Sequence, residues 1–501
     1  MPASVQQPKS PARYLFRALL FLCLVLVIVL GIEHWRGERI LRNWRTQTAD
    51  LVPQKLWPPF SEASRQYYVQ LNLAAARLGA PLAAYAGMIQ PIVDSGFGMA
   101  RRGSQELAPV DGKTWEALDQ AVRQNALALR DLRQLMNEIP SGIDYDINES
   151  LAKSLPARYV AARTASQTLH AAALSELHQG NLTNALDYLL ALAHAPKMRA
   201  KDPSLVSYMI RIALVGLVDA ACWDALQAEG WTDRQLEALQ KACQDAPQIS
   251  QLPQVYRAEQ AAHLHDIQWF RSHLYGKWFA RSEDIFASFG VNRVTMRGPM
   301  AAYHWNQFVR HPAWTVAFGD TEPELTALAT AVRRSSWLAL RDNLADVRAR
   351  YHRPEAPWRF YLELPLQHVL SGAPDSVRPN DAWPYPDFYR TWQAAFRNLT
   401  QHNLLVAAIA LKRYQLRNDS LPPTLSSLCP EFLDAVPLDL MDGQHLRYYP
   451  NLDDSFTLYS VGLDGRDDGG DPESPNPSQR DQFNSLNGKD IVWPRLDPNL
   501  F

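Results

Sequence analysis

Apolar positions recur every three or four residues along most of the first 350 residues. Runs such as SEASRQYYVQLNLAAARL, TWEALDQAVRQNALALRDLRQLMNEI and PSLVSYMIRIALVGLVDAACWDALQAEG keep that spacing and break at Gly or Pro. A period near 3.6 predicts amphipathic helices, and strand alternation is nearly absent here. Two regions depart from the pattern. Ala18 to Ile32, ALLFLCLVLVIVLGI, is apolar without interruption and closes at Glu33, with Lys9, Arg13 and Arg17 ahead of it. Tyr14, Leu15 and Phe16 lengthen the run, Arg17 can snorkel to the interface, and no small-x-small cleavage site follows. The segment 14–32 is therefore expected to be an uncleaved transmembrane signal anchor. The short basic residues 1–13 would stay in the cytoplasm and the remainder would lie outside it, in a periplasm if the cell has one. From about residue 387 onward the helical period gives way, after one last helix, to short alternating segments and turn residues.

Composition narrows the function classes. With 501 residues and 47% hydrophobic content the chain can build substantial cores, and it is not mainly disordered. The net charge of −2, with both signs interspersed, offers no basic stripe for nucleic acid. Four cysteines exclude a disulfide scaffold. Cys23 lies in the apolar segment; Cys222 and Cys243 are expected as buried thiols, with a bridge between them as the alternative in an oxidising compartment.

Residues 169–197, LHAAALSELHQGNLTNALDYLLALAHAPK, combine a turn at Gln179–Asn181, small and apolar Ala185 and Leu186, and Pro196 at the end. This unit resembles a tetratricopeptide repeat, and a plain helical hairpin is the alternative. Aromatics crowd residues 269–386, as joint filler or as a surface for a peptide or glycan. In YRAEQAAHLHDIQWFR, Glu259, His263 and Asp266 share one helix face, with His265 nearby. That spacing suits either an acid–base or metal pair of an envelope hydrolase or an ordinary surface pair. No phosphate loop, nucleophile elbow or HExxH motif accompanies it.

The C-terminal region reads as the helix DFYRTWQAAFRNLTQHNLLVAAIALKRYQLRND, a Leu-Pro turn, a short helix and a Pro-Leu-Asp corner. Two strands around Asn451–Asp454 follow, then the loop YSVGLDGRDDGGD and GKDIVWP. In that order these motifs resemble the globular head of the major pseudopilin of bacterial type II secretion. The resemblance covers residues 387–501, and the whole chain is similar to membrane-anchored bacterial proteins that carry such a head. It implies a calcium ion held by Asp464, by the Val461 and Arg466 carbonyls and by Asp490. Lys489 and the inserted PESPNPSQRDQFNSLN depart from the family pattern. So does the helix feeding the head, whose Arg390, Arg397, Lys412 and Arg413 keep it from forming a pilus core.

The expected fold is thus mainly α: a transmembrane helix at 14–32, an α-helical domain at 33–350 with a tetratricopeptide-like hairpin, a Pro- and aromatic-rich connection at 351–386, and a small α+β head at 387–501. The expected function is a non-catalytic, membrane-anchored scaffold with protein partners, linked to secretion or envelope organisation.

Overall fold

The computed structural model describes residues 16–25, 53–85, 115–145, 155–244, 246–272, 322–351, 388–452, 455–471 and 490–493, with isolated positions between 28 and 46. The chain is mainly helical, and it divides into two compact units. One comprises 1–52, 260–323 and 353–384; within it Phe16–Val25 forms helix α1, whose side chains are exposed. The other comprises 53–259, 324–352 and 385–501. It joins the helical region and the C-terminal α+β segment, which the sequence pattern suggested as successive domains.

In this larger unit the longer helices are α2 (Glu62–Tyr85), α3 (Trp115–Gln124), α4 (Ala126–Asn137), α5 (Leu155–His178), α6 (Leu182–Ala193), α7 (Leu205–Gln227), α8 (Asp233–Cys243), the start of α9 (Leu252–Ser272), α10 (Glu322–Arg333), α11 (Trp337–Tyr351) and α12 (Phe388–Asn418). Local chemistry sets the boundaries. The run expected as one helix from Trp115 splits at Asn125, whose side-chain amide donates to the Ala121 carbonyl at 2.8 Å. The Ser204 hydroxyl accepts from the Ser207 amide and starts α7. Thr232 and Gln235 form a capping box that starts α8.

The turn expected at Gln179–Asn181 joins α5 and α6 into a hairpin, with Gly180 at a φ of +73°, open to glycine without strain. Ala185 is fully buried in it, and the two helices pack directly on each other.

Helix α7 occupies the middle of the unit. It is apolar on nearly every side, which fits a helix packed on several faces: α5, α6 and α12 all pack on it. By length and composition it would qualify to cross a membrane, but 61% of its most apolar window is buried inside the protein. Its charged residues each have a partner on a different element. Arg211 donates to the Pro196 carbonyl, Asp219 pairs with His402 of α12, and Asp224 pairs with His170 of α5.

Helix α12 lays Trp392, Phe396, Leu399, Ala407 and Leu411 into the core against α7, α8 and the sheet. Arg413, nearly buried, reaches Asp233 at 2.8 Å and the Gln240 side chain at 3.2 Å, both on α8. The sheet is antiparallel in the order β1 (Arg447–Pro450), β2 (Phe456–Ser460), β3 (Ile491–Val492), with Tyr448 opposite Leu458 and Ser460 opposite Ile491. The first two strands flank Asn451–Asp454 as expected.

Candidate functional site

The Pro-Leu-Asp corner and the Asp/Gly loop form one polar centre around Asp439. Its carboxylate is fully buried. Oδ1 accepts from the Ser460 hydroxyl at 2.7 Å and the Met441 amide at 2.9 Å. Oδ2 accepts from the Val461 amide at 3.0 Å and the Arg447 guanidinium at 2.7 Å. Burial pushes this carboxyl above its ordinary range, and the hydroxyl and amide donors partly offset that rise. Arg447 extends the centre outward to Asp442 and, at 3.7 Å, to Asp467.

The loop after β2 is closed from within the chain. The Asp464 side chain accepts the Arg466 amide at 3.0 Å, an Asx turn. Asp467 accepts from the Tyr459 hydroxyl at 2.9 Å and the Gly469 amide at 3.1 Å, and Tyr449 donates to the Gly469 carbonyl. Asp490 closes the far side, accepting the amides of Asp468, Gly470 and Asp471 at 3.5, 2.7 and 3.2 Å.

Helix α11 docks on this region by its first turns. The Trp337 and Leu338 amides donate to the Leu440 and Met441 carbonyls at 2.8 and 2.9 Å, and Ser336 caps the helix through the Ala339 amide. Arg341 donates to the carbonyls of Leu463 and Asp464 at 3.3 and 3.4 Å. Gly465 has a φ of +76°, which favours glycine, and a Cβ there would require the Leu338 side chain to shift.

The four positions implied for calcium thus all lie in or beside this loop. Together they offer two carboxylates and two carbonyls, part of the six to eight oxygens calcium takes. An ion here would share Asp490 with three amide donors and Asp464 with one, and water would complete its shell. Among the described residues no three His, Cys, Asp or Glu side chains cluster as a metal site.

The helix face at 259–266 is only partly described. Glu259 is half-buried and accepts from the Leu205 amide at 3.3 Å, at the start of α7. The side chains of His263, His265 and Asp266 lie outside the described residues.

Two further centres were not anticipated from the sequence. Arg199, buried at a φ of +58°, pairs with Asp144 at 2.8 Å and Asp202 at 3.4 Å and lies over the rings of Tyr68 and Tyr145. Asp202 also accepts from the Tyr145 hydroxyl, the Ser207 hydroxyl and the Ser204 amide. The second is His402, whose Nδ1 lies 2.7 Å from Asp219 and whose Nε2 lies 2.8 Å from the Cys243 carbonyl. A carbonyl only accepts, so Nε2 donates, and with Nδ1 facing a carboxylate the ring is an imidazolium. Burial opposes that charge, but Asp219 more than offsets it and lifts the His402 pKa to about 9. Asp219 had a sequence signal: an acid in the middle of an apolar helix must find a partner.

No family model, curated protein or solved structure matches the chain.

Proposed function

We propose that this protein is a single-pass, membrane-anchored scaffold whose folded body lies outside the cytoplasm and engages other proteins in secretion or envelope organisation. The observation that carries this reading is the exposed apolar surface of α1, where Phe16, Leu19, Leu20, Phe21 and Leu22 are each 60–67% exposed. A contiguous apolar helix of that kind is costly in water and stable in lipid. On this reading Ala18–Ile32 is the span, the α5–α6 hairpin is a tetratricopeptide-like unit, and the C-terminal segment is a pseudopilin-like head. Calcium at Val461, Asp464, Arg466 and Asp490 belongs to the same proposal and rests on the resemblance alone.

The anchor and its orientation have a direct test. A reporter active only outside the cytoplasm, fused after Phe501, should be active, and the full chain should resist extraction from membranes by alkaline carbonate. Activity of a cytoplasm-only reporter at that position, or release by carbonate, would overturn the reading.

A further inference from the structure

The Sγ atoms of Cys222, in the C-terminal part of α7, and Cys243, the last residue of α8, lie 4.0 Å apart, and both residues are almost wholly buried. A disulfide requires about 2.05 Å, so each sulfur would move by roughly 1 Å, within the reach of a small side-chain rotation. The other two cysteines are placed differently: Cys23 is exposed on α1 and Cys429 is half-buried before Pro430.

We propose that Cys222 and Cys243 are a disulfide-forming pair that staples α8 to α7 at the point where α12 docks. The oxidant is the disulfide of a thiol–disulfide oxidoreductase outside the cytoplasm. One cysteine thiolate attacks that disulfide, and the displaced sulfur leaves as a thiolate and takes up a proton. The second cysteine then displaces the oxidoreductase from the mixed disulfide. Two cysteine thiols are oxidised to one disulfide, and the oxidoreductase departs as a dithiol.

Exchange takes place before the core closes. In the folded chain the hydrogen bond with Cys243, together with burial, holds the Cys222 thiol well above the usual thiol range, which makes it a poor nucleophile. The consequence reaches the C-terminal segment, because the Cys243 carbonyl is the acceptor for His402 of α12. A covalent tie at residue 243 fixes that acceptor in place.

This inference rests on the proposed location outside the cytoplasm, and two arms of one experiment separate them. Full-length protein from its own membranes is denatured in an alkylating agent. Without reductant, Cys23 and Cys429 should be labelled and a linked Cys222–Cys243 peptide recovered; with reductant, all four of the cysteines should be labelled. In the second arm, full-length protein made under reducing conditions is unfolded and refolded in a glutathione redox buffer. A bond in that arm but not in the membrane sample supports the pairing and overturns the location. No linked peptide in either arm overturns the pairing. The stapling role is read by hydrogen exchange, in which α12 amides should exchange faster in the Cys222→Ser, Cys243→Ser double variant than in the oxidised parent. Equal exchange overturns that role.

Discussion

The centres around Arg199 and Asp439 solve the same problem in opposite ways. Each holds a carboxylate that water cannot reach. At Arg199 one buried cation balances two buried acids, one three residues away and one 55 residues away, so the centre exists only once the tertiary fold has closed. At Asp439 the donors are two amides, a hydroxyl and one partly exposed guanidinium, all between residues 441 and 461. The first is long-range and charge against charge; the second is local and mostly dipole against charge. The contrast teaches that removing the cation harms the first more, whereas removing the acceptor harms the second.

Arg199→Met should have the largest effect, about 3–5 kcal/mol of lost stability, since it leaves Asp144 and Asp202 buried without their cation. Denaturant unfolding of the detergent-solubilised chain measures it, and a loss below 1 kcal/mol would erase the contrast. Asp439→Asn should cost on the order of 3 kcal/mol, because an amide NH2 would face donors that need an acceptor. Hydrogen exchange should localise this damage to Met441 and Val461, whereas Arg199→Met should loosen the whole unit.

A third effect is graded by pH. The folded pKa of His402, about 9, lies above the unfolded value of roughly 6.5. Its contribution is therefore fully present below about pH 6.5 and lost as pH rises through about 9. The melting temperature should fall across that window, and His402→Gln should flatten the fall. The raised Cys222 thiol adds a slope of the same sign above the ordinary thiol range, and in reduced protein the variant retains it. The smallest effect concerns the loop: millimolar calcium should stabilise the full chain by about 1 kcal/mol if the site binds with the millimolar affinity of extracellular modules. Asp464→Ala should abolish the gain. Melting that ignores calcium would leave the loop closed by its own hydrogen bonds alone.

The helices of this protein were legible because their apolar period is long and clean, and the α5–α6 turn because Gly180 marks it. The corner at Pro437–Asp439 was visible as a turn, but Asp439 as its organiser was not, since its partners at 441, 447, 460 and 461 converge only after β1 and β2 pair. The third strand is two residues long and lies beyond an insertion, too short for alternation to register. The pairs joining Asp219 to His402 and Asp233 to Arg413 span some 180 residues, and no local pattern encodes which helix will meet which. For that reason the sharing of one core by the C-terminal segment and the helices was not legible in the sequence.

The composition of α7 bears on how the chain is made as well as how it folds. Insertion machinery tests a nascent chain in windows of about this length, before any partner exists to bury it. Each of Arg211, Asp219 and Asp224 raises the cost of lateral release into lipid, by up to about 3 kcal/mol at a helix centre. On the proposed topology, the same three charges that later meet their partners should carry the segment through the membrane rather than into it. If the N-terminal segment is the proposed anchor, replacing all three with leucine should arrest a portion of the chains as two-span proteins, with the C-terminus on the cytoplasmic side and open to protease there.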